Sequence, residues 1–255
     1  MTRILVSGPS GRMGQQVYRA VELDEDSVFS GFLCDPSTPT GGPVFPDVNQ
    51  APPADVLIDF TLPKAAAQFA TACSAKGVAL VTGTTGLDAD QQATVERAAK
   101  YIPIVQAGNF SLGVNVLTAL VEQAAGLLKD FDIEITEAHH RFKVDAPSGT
   151  ALMLGHAAAA GRDVELDAAA VYAREGQTGA RQEGQIGFSV IRGGGIIGDH
   201  DVSLISETEQ VTLSHRALDR SLFAKGALVA AKWAKGRAPG LYSMRDVLGM
   251  GQAAD

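Results

Sequence analysis

The chain has 255 residues, 45% hydrophobic and 20% charged, with a formal net charge of −8. That composition supports a real core, in one large α/β domain or two smaller ones. The acidic balance argues against a general nucleic-acid binder, which needs a basic surface to neutralise phosphate, but leaves room for a local positive cleft holding a small anion.

Cys34 and Cys73 form no CxxC pair and are too few for a disulfide framework, so a reduced, cytoplasmic setting is expected. The opening "MTRILVSGPSGRMG" lacks signal-peptide architecture, because its apolar run is short and ends in glycine. The uncharged run 102–121 is interrupted by Gln106, Gly108, Asn109, Ser111, Gly113 and Asn115. It reads as a strand, a loop and the start of a helix, not as a membrane span.

In chain order, "RILVS" (3–7) predicts a strand, and Met13, Val17, Ala20 and Val21 recur at helical spacing after it. "SVFSGFL" (27–33) predicts a second strand, and "ADVLIDF" (54–60) is continuous enough for a parallel strand buried on both faces. A helix over 64–76, the strand "GVALVTG", a helix from about 89 to 100 and the strand "IPIVQAG" follow. This βαβαβ order implies a parallel sheet with helices on both sides.

The pattern then changes. Val116, Leu117, Leu120, Val121, Ala124, Leu127 and Leu128 make a helical stripe. Phe131, Ile133 and Ile135 then alternate with Asp132, Glu134 and Thr136, which predicts a strand with one buried face and a second face either wet or covered by a partner. "IGFSVIR", "HDVSLIS" and "QVTLSH" alternate likewise, with hairpin turns expected at Gly193–Gly195 and at Glu207 and Thr208. A last helix spans 222–235. The expected fold class is α/β: a Rossmann-like parallel-sheet domain plus an α+β domain with a mixed, largely antiparallel sheet.

Between the first strand and helix, Gly8, Gly11 and Gly14 give GxxGxxG, with Ser10 where the commoner fingerprint has its middle glycine. Small residues there let backbone N–H groups approach a pyrophosphate at a helix N-terminus, although a tight turn without ligand gives the same pattern. Asp35 ends the second strand, where a carboxylate can accept from ribose hydroxyls or be an ordinary solvated residue. "GTTG" (83–86) and "AGNF" (107–110) also close parallel strands. Three such loops at one sheet edge fit a dinucleotide better than any one alone.

"EAHHRFKVDAPSGTAL" (137–152) gathers His139, His140, Arg141 and Lys143 before a helix start at Ser148 or Gly149. Unpaired N–H groups at Gly149 and Thr150 would form an anion site. Taken singly, each residue reads as an ordinary core or surface side chain. Together they make a candidate catalytic loop. Adjacent histidines without i, i+4 spacing or a cysteine pair are a poor zinc set, so no metal is expected.

At this point the chain resembles the 4-hydroxy-tetrahydrodipicolinate reductase family. The resemblance rests on "GPSGRMG", "DFTLP", "GTTG", "AGNFSLGVN", "EAHHRFKVDAPSGTAL", "IGFSVIRGGGIIGDH" and "MRDVL", in the family's order over essentially the whole chain. It implies a nicotinamide-dependent reduction of a small dicarboxylate imine, with loss of water, in lysine and diaminopimelate biosynthesis. It also implies a dinucleotide domain (1–110, completed by 220–255), a substrate and tetramerisation domain (111–219), and a homotetramer. No nucleic-acid or membrane partner is expected. Carried over by motif, His139 takes the acid/base position, Lys143 the proton-donor position and His140 a substrate-binding position. Gly149 and Thr150 take substrate-carboxylate contacts. Gly8, Pro9, Ser10, Gly11, Arg12, Met13, Asp35, Gly83, Thr84, Thr85, Ala107, Gly108, Asn109 and Phe110 match coenzyme contacts, and Arg220 and Phe223 resemble further nucleotide-side residues.

Three departures stand out. Pro36 occupies the place of an arginine common in relatives, Leu62 that of a basic residue, and Phe142 that of a third histidine. With Asp35 present and both cations gone, NADH is expected over NADPH, and Arg12 keeps NADPH possible. Competing expectations are a dehydrogenase of another small imino or keto acid and a non-catalytic dinucleotide sensor.

Overall fold

The computed structural model describes residues 1–250. It divides into two units, residues 1–112 with the segment from Arg220 onward, and Gly113–Asp219. The first unit opens with β1 (Thr2–Ser7), α1 (Arg12–Glu22), β2 (Ser27–Leu33), β3 (Val44–Phe45), β4 (Val56–Asp59), α2 (Pro63–Lys76), β5 (Ala79–Thr82), α3 (Ala89–Ala99) and β6 (Pro103–Gln106). The second holds α4 (Leu112–Leu127), which starts at the boundary, β7 (Asp132–His139), α5 (Gly149–Gly161), α6 (Leu166–Ala169), β8 (Ala170–Val171), β9 (Ile186–Arg192), β10 (Asp199–Ile205) and β11 (Gln210–Arg216). The chain returns to the first unit with α7 (Ser221–Ala234), β12 (Gly240–Tyr242) and α8 (Met244–Val247).

The first sheet has seven strands in the order β12-β6-β5-β4-β1-β2-β3, all parallel. Strands β4 and β5 are wholly buried, as their unbroken apolar runs require. The chain winds outward from β1 through β2 in one direction, then from β4 through β6 in the other. The crevice between β1 and β4 is therefore the topological switch point, where open α/β sheets bind ligands. Helix α7 covers one face with Ala224, Ala227, Ala230, Ala231 and Ala234, all fully buried. Such small side chains let a helix approach closely: at Gly226 an added Cβ would collide with the Phe110 carbonyl.

The second sheet has five strands in the order β11-β10-β7-β9-β8. It is mixed, with antiparallel pairings at β10–β11 and β7–β10 and parallel ones at β7–β9 and β8–β9. Ile133 and Ile135 of β7 pack with Leu154 of α5, Phe188 of β9, and Val202 and Leu204 of β10 in the unit's core. The turn at Glu207 and Thr208 joins the β10–β11 hairpin as expected. The one expected at Gly193–Gly195 is not a hairpin turn. β7 lies between β9 and β10, so this segment passes over the carboxyl end of β7, with the Gly193 N–H donating to the His139 carbonyl at 2.9 Å. Glycines mark a change of direction; which strand pairs with which is set by the core faces.

Candidate active site

In the first unit, β1 ends in the glycine loop. Gly8 sits at φ +61°, the left-handed region glycine tolerates, and its carbonyl accepts from the Gly11 N–H at 3.0 Å. Gly11 is the N-cap of α1 and supplies no side-chain cap, whereas Asp88 closes α3 with a full capping box. The first-turn N–H groups of α1, starting at Arg12, are thus open to an anion. Pro9 is buried, Ser10, Gly11 and Arg12 are exposed, and Met13 is half-buried. Beside the loop lies a cleft of about 450 Å³ walled by Pro9, Tyr18, Arg19, Phe32, Thr40 and Gly41. The glycine loop and cleft fit a dinucleotide. Arg19 was not singled out from the sequence; its place on α1 gave no sign that it faces a cleft.

Asp35 is exposed beyond β2, and its Oδ1 accepts from the Ser37 hydroxyl at 2.7 Å and the Ser37 N–H at 2.8 Å. The hydroxyl and then the N–H hold its pKa below the usual carboxylate range. Both bonds fall on Oδ1, so Oδ2 is the oxygen available to a ribose. Pro36 and Leu62 are exposed.

The loops after β1, β4 and β5 are tied together by Asp59, which is fully buried at the end of β4. Its Oδ1 accepts from the Ser7 hydroxyl (2.6 Å), the Thr61 hydroxyl (2.6 Å) and the Thr61 N–H (3.2 Å). Its Oδ2 accepts from the hydroxyls of Thr84 (2.8 Å) and Thr82 (3.1 Å). The Thr84 side chain therefore points inward, leaving its backbone to the loop. Gly83 is pressed against the Phe60 ring, and Thr85 is exposed. Phe110 is buried with its ring edge-to-face on Phe60 at 5.4 Å, so it too offers backbone, not side chain. Ala107 and Asn109 are half-buried, Gly108 is exposed, and the Asn109 side chain accepts from the Ser111 N–H at 2.8 Å. Arg220 is exposed as the N-cap of α7, and Phe223 is half-buried.

In the second unit, Ile133, Ile135, Glu137 and His139 share one face of β7, so the apolar stripe turns polar as the strand reaches its carboxyl end. His139 is 8% exposed, and its Nδ1 lies 2.6 Å from Glu137 Oε2. Glu137 is 1% exposed. Oε2 also accepts from Arg192 at 2.7 Å, while Oε1 accepts from Arg192 at 2.8 Å and the Ser148 N–H at 2.9 Å. Burial pushes the Glu137 pKa up; Arg192, His139 and the Ser148 N–H outweigh it and hold the carboxyl below its usual range.

Ser148 is the N-cap of α5, its hydroxyl accepting from the Ala151 N–H at 3.2 Å, and Gly149 and Thr150 open the helix. The Ala146–Pro147 peptide before it is cis. The Lys143 ammonium donates to both Asp145 carboxylate oxygens at 2.8 Å, and Arg192 binds the Asp145 carbonyl at 2.7 Å. His140 is half-buried, 6.4 Å between ring centres from Phe142, which is 79% exposed. His200 on β10 packs edge-to-face on His139 at 5.2 Å and shares a 3.3 Å contact with the Ser148 hydroxyl. Burial, followed by the charge of His139, pushes its pKa down to about 4. Gly198 lies so near His139 that an added Cβ would sit 3.0 Å from Nε2. The structure thus brings His139, Lys143, Gly149 and Thr150 into one framework. The sequence did not single out Glu137, Arg192, Gly198 or His200 for this framework. A strand face carrying E-x-H was the one local sign. Among the described residues, no group of three or more His, Cys, Asp or Glu side chains is placed to hold a metal ion.

Comparison with known proteins bears on this arrangement. The family model described as dihydrodipicolinate reductase, N-terminus, matches residues 2–110, and the one described as dihydrodipicolinate reductase, C-terminus, matches residues 113–248. The chain belongs to the dihydrodipicolinate reductase family. The 4-hydroxy-tetrahydrodipicolinate reductase of Caulobacter vibrioides is 50% identical over 97% of each chain, and reductase 1 of Mesorhizobium japonicum is 47% identical at the same coverage. The solved dipicolinate-bound dihydrodipicolinate reductase of Paenisporosarcina sp. TG-14 is 25% identical with a TM-score of 0.79, covering 95% of this chain and 97% of that one. The fold extends further: the Corynebacterium glutamicum DAP dehydrogenase aligns with a TM-score of 0.56 at 15% identity, over 100% of this chain and 96% of that one.

Proposed function

We propose that this reductase-family chain converts 4-hydroxy-tetrahydrodipicolinate to tetrahydrodipicolinate, with loss of water, in lysine and diaminopimelate biosynthesis. The observation carrying the proposal is the second-unit framework, where buried Glu137 binds the His139 imidazole, the Ser148 N–H at the start of α5 and Arg192, and Arg192 in turn binds the carbonyl of Asp145, whose carboxylate holds the Lys143 ammonium. A planar ring with two carboxylates suits that set, and a relative's structure holds dipicolinate.

The first unit's glycine loop, with Asp35, the 83–85 turn and the 107–110 loop, holds the coenzyme in this reading. When bound, a reduced nicotinamide supplies hydride to a ring carbon conjugated with the imine. His139 and Lys143 handle the protons: charge moves onto the ring nitrogen as the reduction proceeds, and a nearby donor lowers that barrier. His140, the N–H groups of Gly149 and Thr150 and the Thr150 hydroxyl grip the carboxylates, and this orientation supplies much of the acceleration.

Asp35 with Pro36 and Leu62 favours NADH; Arg12 and Arg19 are the cations for a 2′-phosphate if NADPH is also used. The face of the second sheet carrying Thr136, Ser189, Ile191, Ser203 and Thr212 is half-buried to exposed, which supports a homotetramer joined through these sheets. The test of activity follows coenzyme oxidation with the imine made in situ from pyruvate and aspartate semialdehyde. Turnover with NADH in excess of NADPH is expected. No oxidation with either coenzyme overturns the assignment in favour of another imino- or keto-acid dehydrogenase.

A further inference from the structure

Among the described residues of the second unit, Glu137 is the one buried carboxylate. A carboxylate at 1% exposure is retained only when paired, and an Arg–Glu fork alone accounts for pairing but not for the other two bonds. A carboxylate offers about four acceptor sites. Here each oxygen takes one arginine N–H and one further donor: His139 Nδ1 on Oε2, the Ser148 N–H on Oε1. Saturated in this way, Glu137 has no free lone pair and carries no proton, so Nδ1 of His139 is the donor.

We propose that Glu137 is the positioning residue of the site: it locks His139 in the tautomer protonated on Nδ1 and sets the distance between that ring and the mouth of α5. This rests on the reading of His139 as the acid/base group. Three consequences follow from the geometry. Every proton His139 exchanges with substrate passes through Nε2, the nitrogen facing Gly198. The Ser148 N–H is held by Glu137 while the Ser148 hydroxyl caps Ala151, so the helix opens at Gly149 and Thr150 at a fixed offset from the imidazole. Arg192, gripped by the same carboxylate, binds the Asp145 carbonyl, and Asp145 binds Lys143, so the proton donor is registered to the same anchor. Strand pairing makes this possible. Arg192 lies opposite His139 across β7–β9, and His200 lies opposite Glu137 across β7–β10.

The first test is Glu137→Gln, which keeps the volume but turns an amide NH₂ toward at least one of the four donors. Expected is a fall in kcat of about 100-fold, on the scale of lost orienting carboxylates elsewhere. KM for the coenzyme, held by the other unit, stays unchanged. The second measurement uses the native enzyme and reads the ring nitrogens of His139 by ¹⁵N NMR in its neutral form, assigned by signal loss in His139→Gln. Protonation on Nδ1 supports the proposal, and a mixed tautomer in a folded Glu137→Gln sharpens it. Protonation on Nε2 in the native enzyme, or native kcat in Glu137→Gln, overturns it. If Glu137→Gln does not fold, the native spectrum decides alone. Undiminished turnover in His139→Gln defeats the acid/base reading itself, a result separate from the tautomer.

Discussion

Replacing Gly14 with alanine probes whether the glycine loop binds the coenzyme through its backbone. The new Cβ lands 2.8 Å from the Gly8 carbonyl carbon, 3.0 Å from the Ser7 oxygen, and closer still to the Gly8 oxygen. Ordinary contact begins at 3.4 Å, so the Gly8 carbonyl must retreat by more than half an ångström. The backbone has little freedom to give. The Gly8 carbonyl holds the Gly11 N–H, the Ser7 hydroxyl is bound to buried Asp59, and Gly8 already occupies φ +61°. Overpacking of this kind costs about 1–3 kcal/mol of stability. Because the strained carbonyl belongs to the loop proposed to receive the pyrophosphate, coenzyme binding is expected to suffer more than the fold. A displacement approaching an ångström at a positioned contact costs about 10- to 100-fold. The measurement is KM and Kd for NADH, by steady-state kinetics and calorimetry, alongside urea unfolding. A folded Gly14→Ala that binds NADH like the native enzyme would show that the loop is only a tight turn.

Other outcomes follow from the same geometry. Asp35→Ala removes the proposed ribose acceptor, worth about 1.5–3 kcal/mol, so the ratio of kcat/KM for NADH over NADPH should drop by about 10-fold or more, and an unchanged ratio assigns the preference elsewhere. His200, with its pKa lowered from 6.5 to about 4 by burial, binds its proton less readily folded than unfolded. Its contribution is complete above about pH 6.5 and is lost as pH falls through about 4, a span worth roughly 3 kcal/mol. Urea midpoints between pH 7 and pH 4.5 should fall less steeply in His200→Gln than in the native protein, and parallel slopes contradict the assignment. Arg162 donates to the carbonyls of Ala125, Leu128 and Phe131 at the end of α4. Arg162→Met strands these acceptors and should cost about 2–4 kcal/mol by denaturant unfolding, with substrate KM unaltered. Gly198→Ala crowds His139 Nε2 and should lower kcat about 10-fold while the melting temperature holds, as a small misplacement near the reacting group does.

What the sequence disclosed depends on how local each feature is. β4 and β5 were legible because burial on both faces demands unbroken apolar residues. β3, β8 and β12 were missed: two or three residues carry no period, and those strands exist only because a neighbour supplies hydrogen bonds. The turn at Gly193–Gly195 was read as a hairpin because glycines announce a reversal but not the partner strand.

The candidate site divides along the same line. Its reactive groups lie in one stretch, 137–152, and their types alone suggested chemistry. The groups that aim them come from Arg192, Gly198 and His200, brought in by the register of β9 and β10 on either side of β7. Inserting β7 between those two strands is what defeated the hairpin expectation, and it is also what surrounds His139 with partners from both sides. An adjacent β9–β10 hairpin would take β10 away from β7, and with it the His200 ring that packs on His139 and the Gly198 backbone beside Nε2. The two flanking strands divide the work: β9 supplies the Arg192 fork that, with His139 and the Ser148 N–H, satisfies buried Glu137, while β10 supplies the His200 ring that packs on the His139 imidazole.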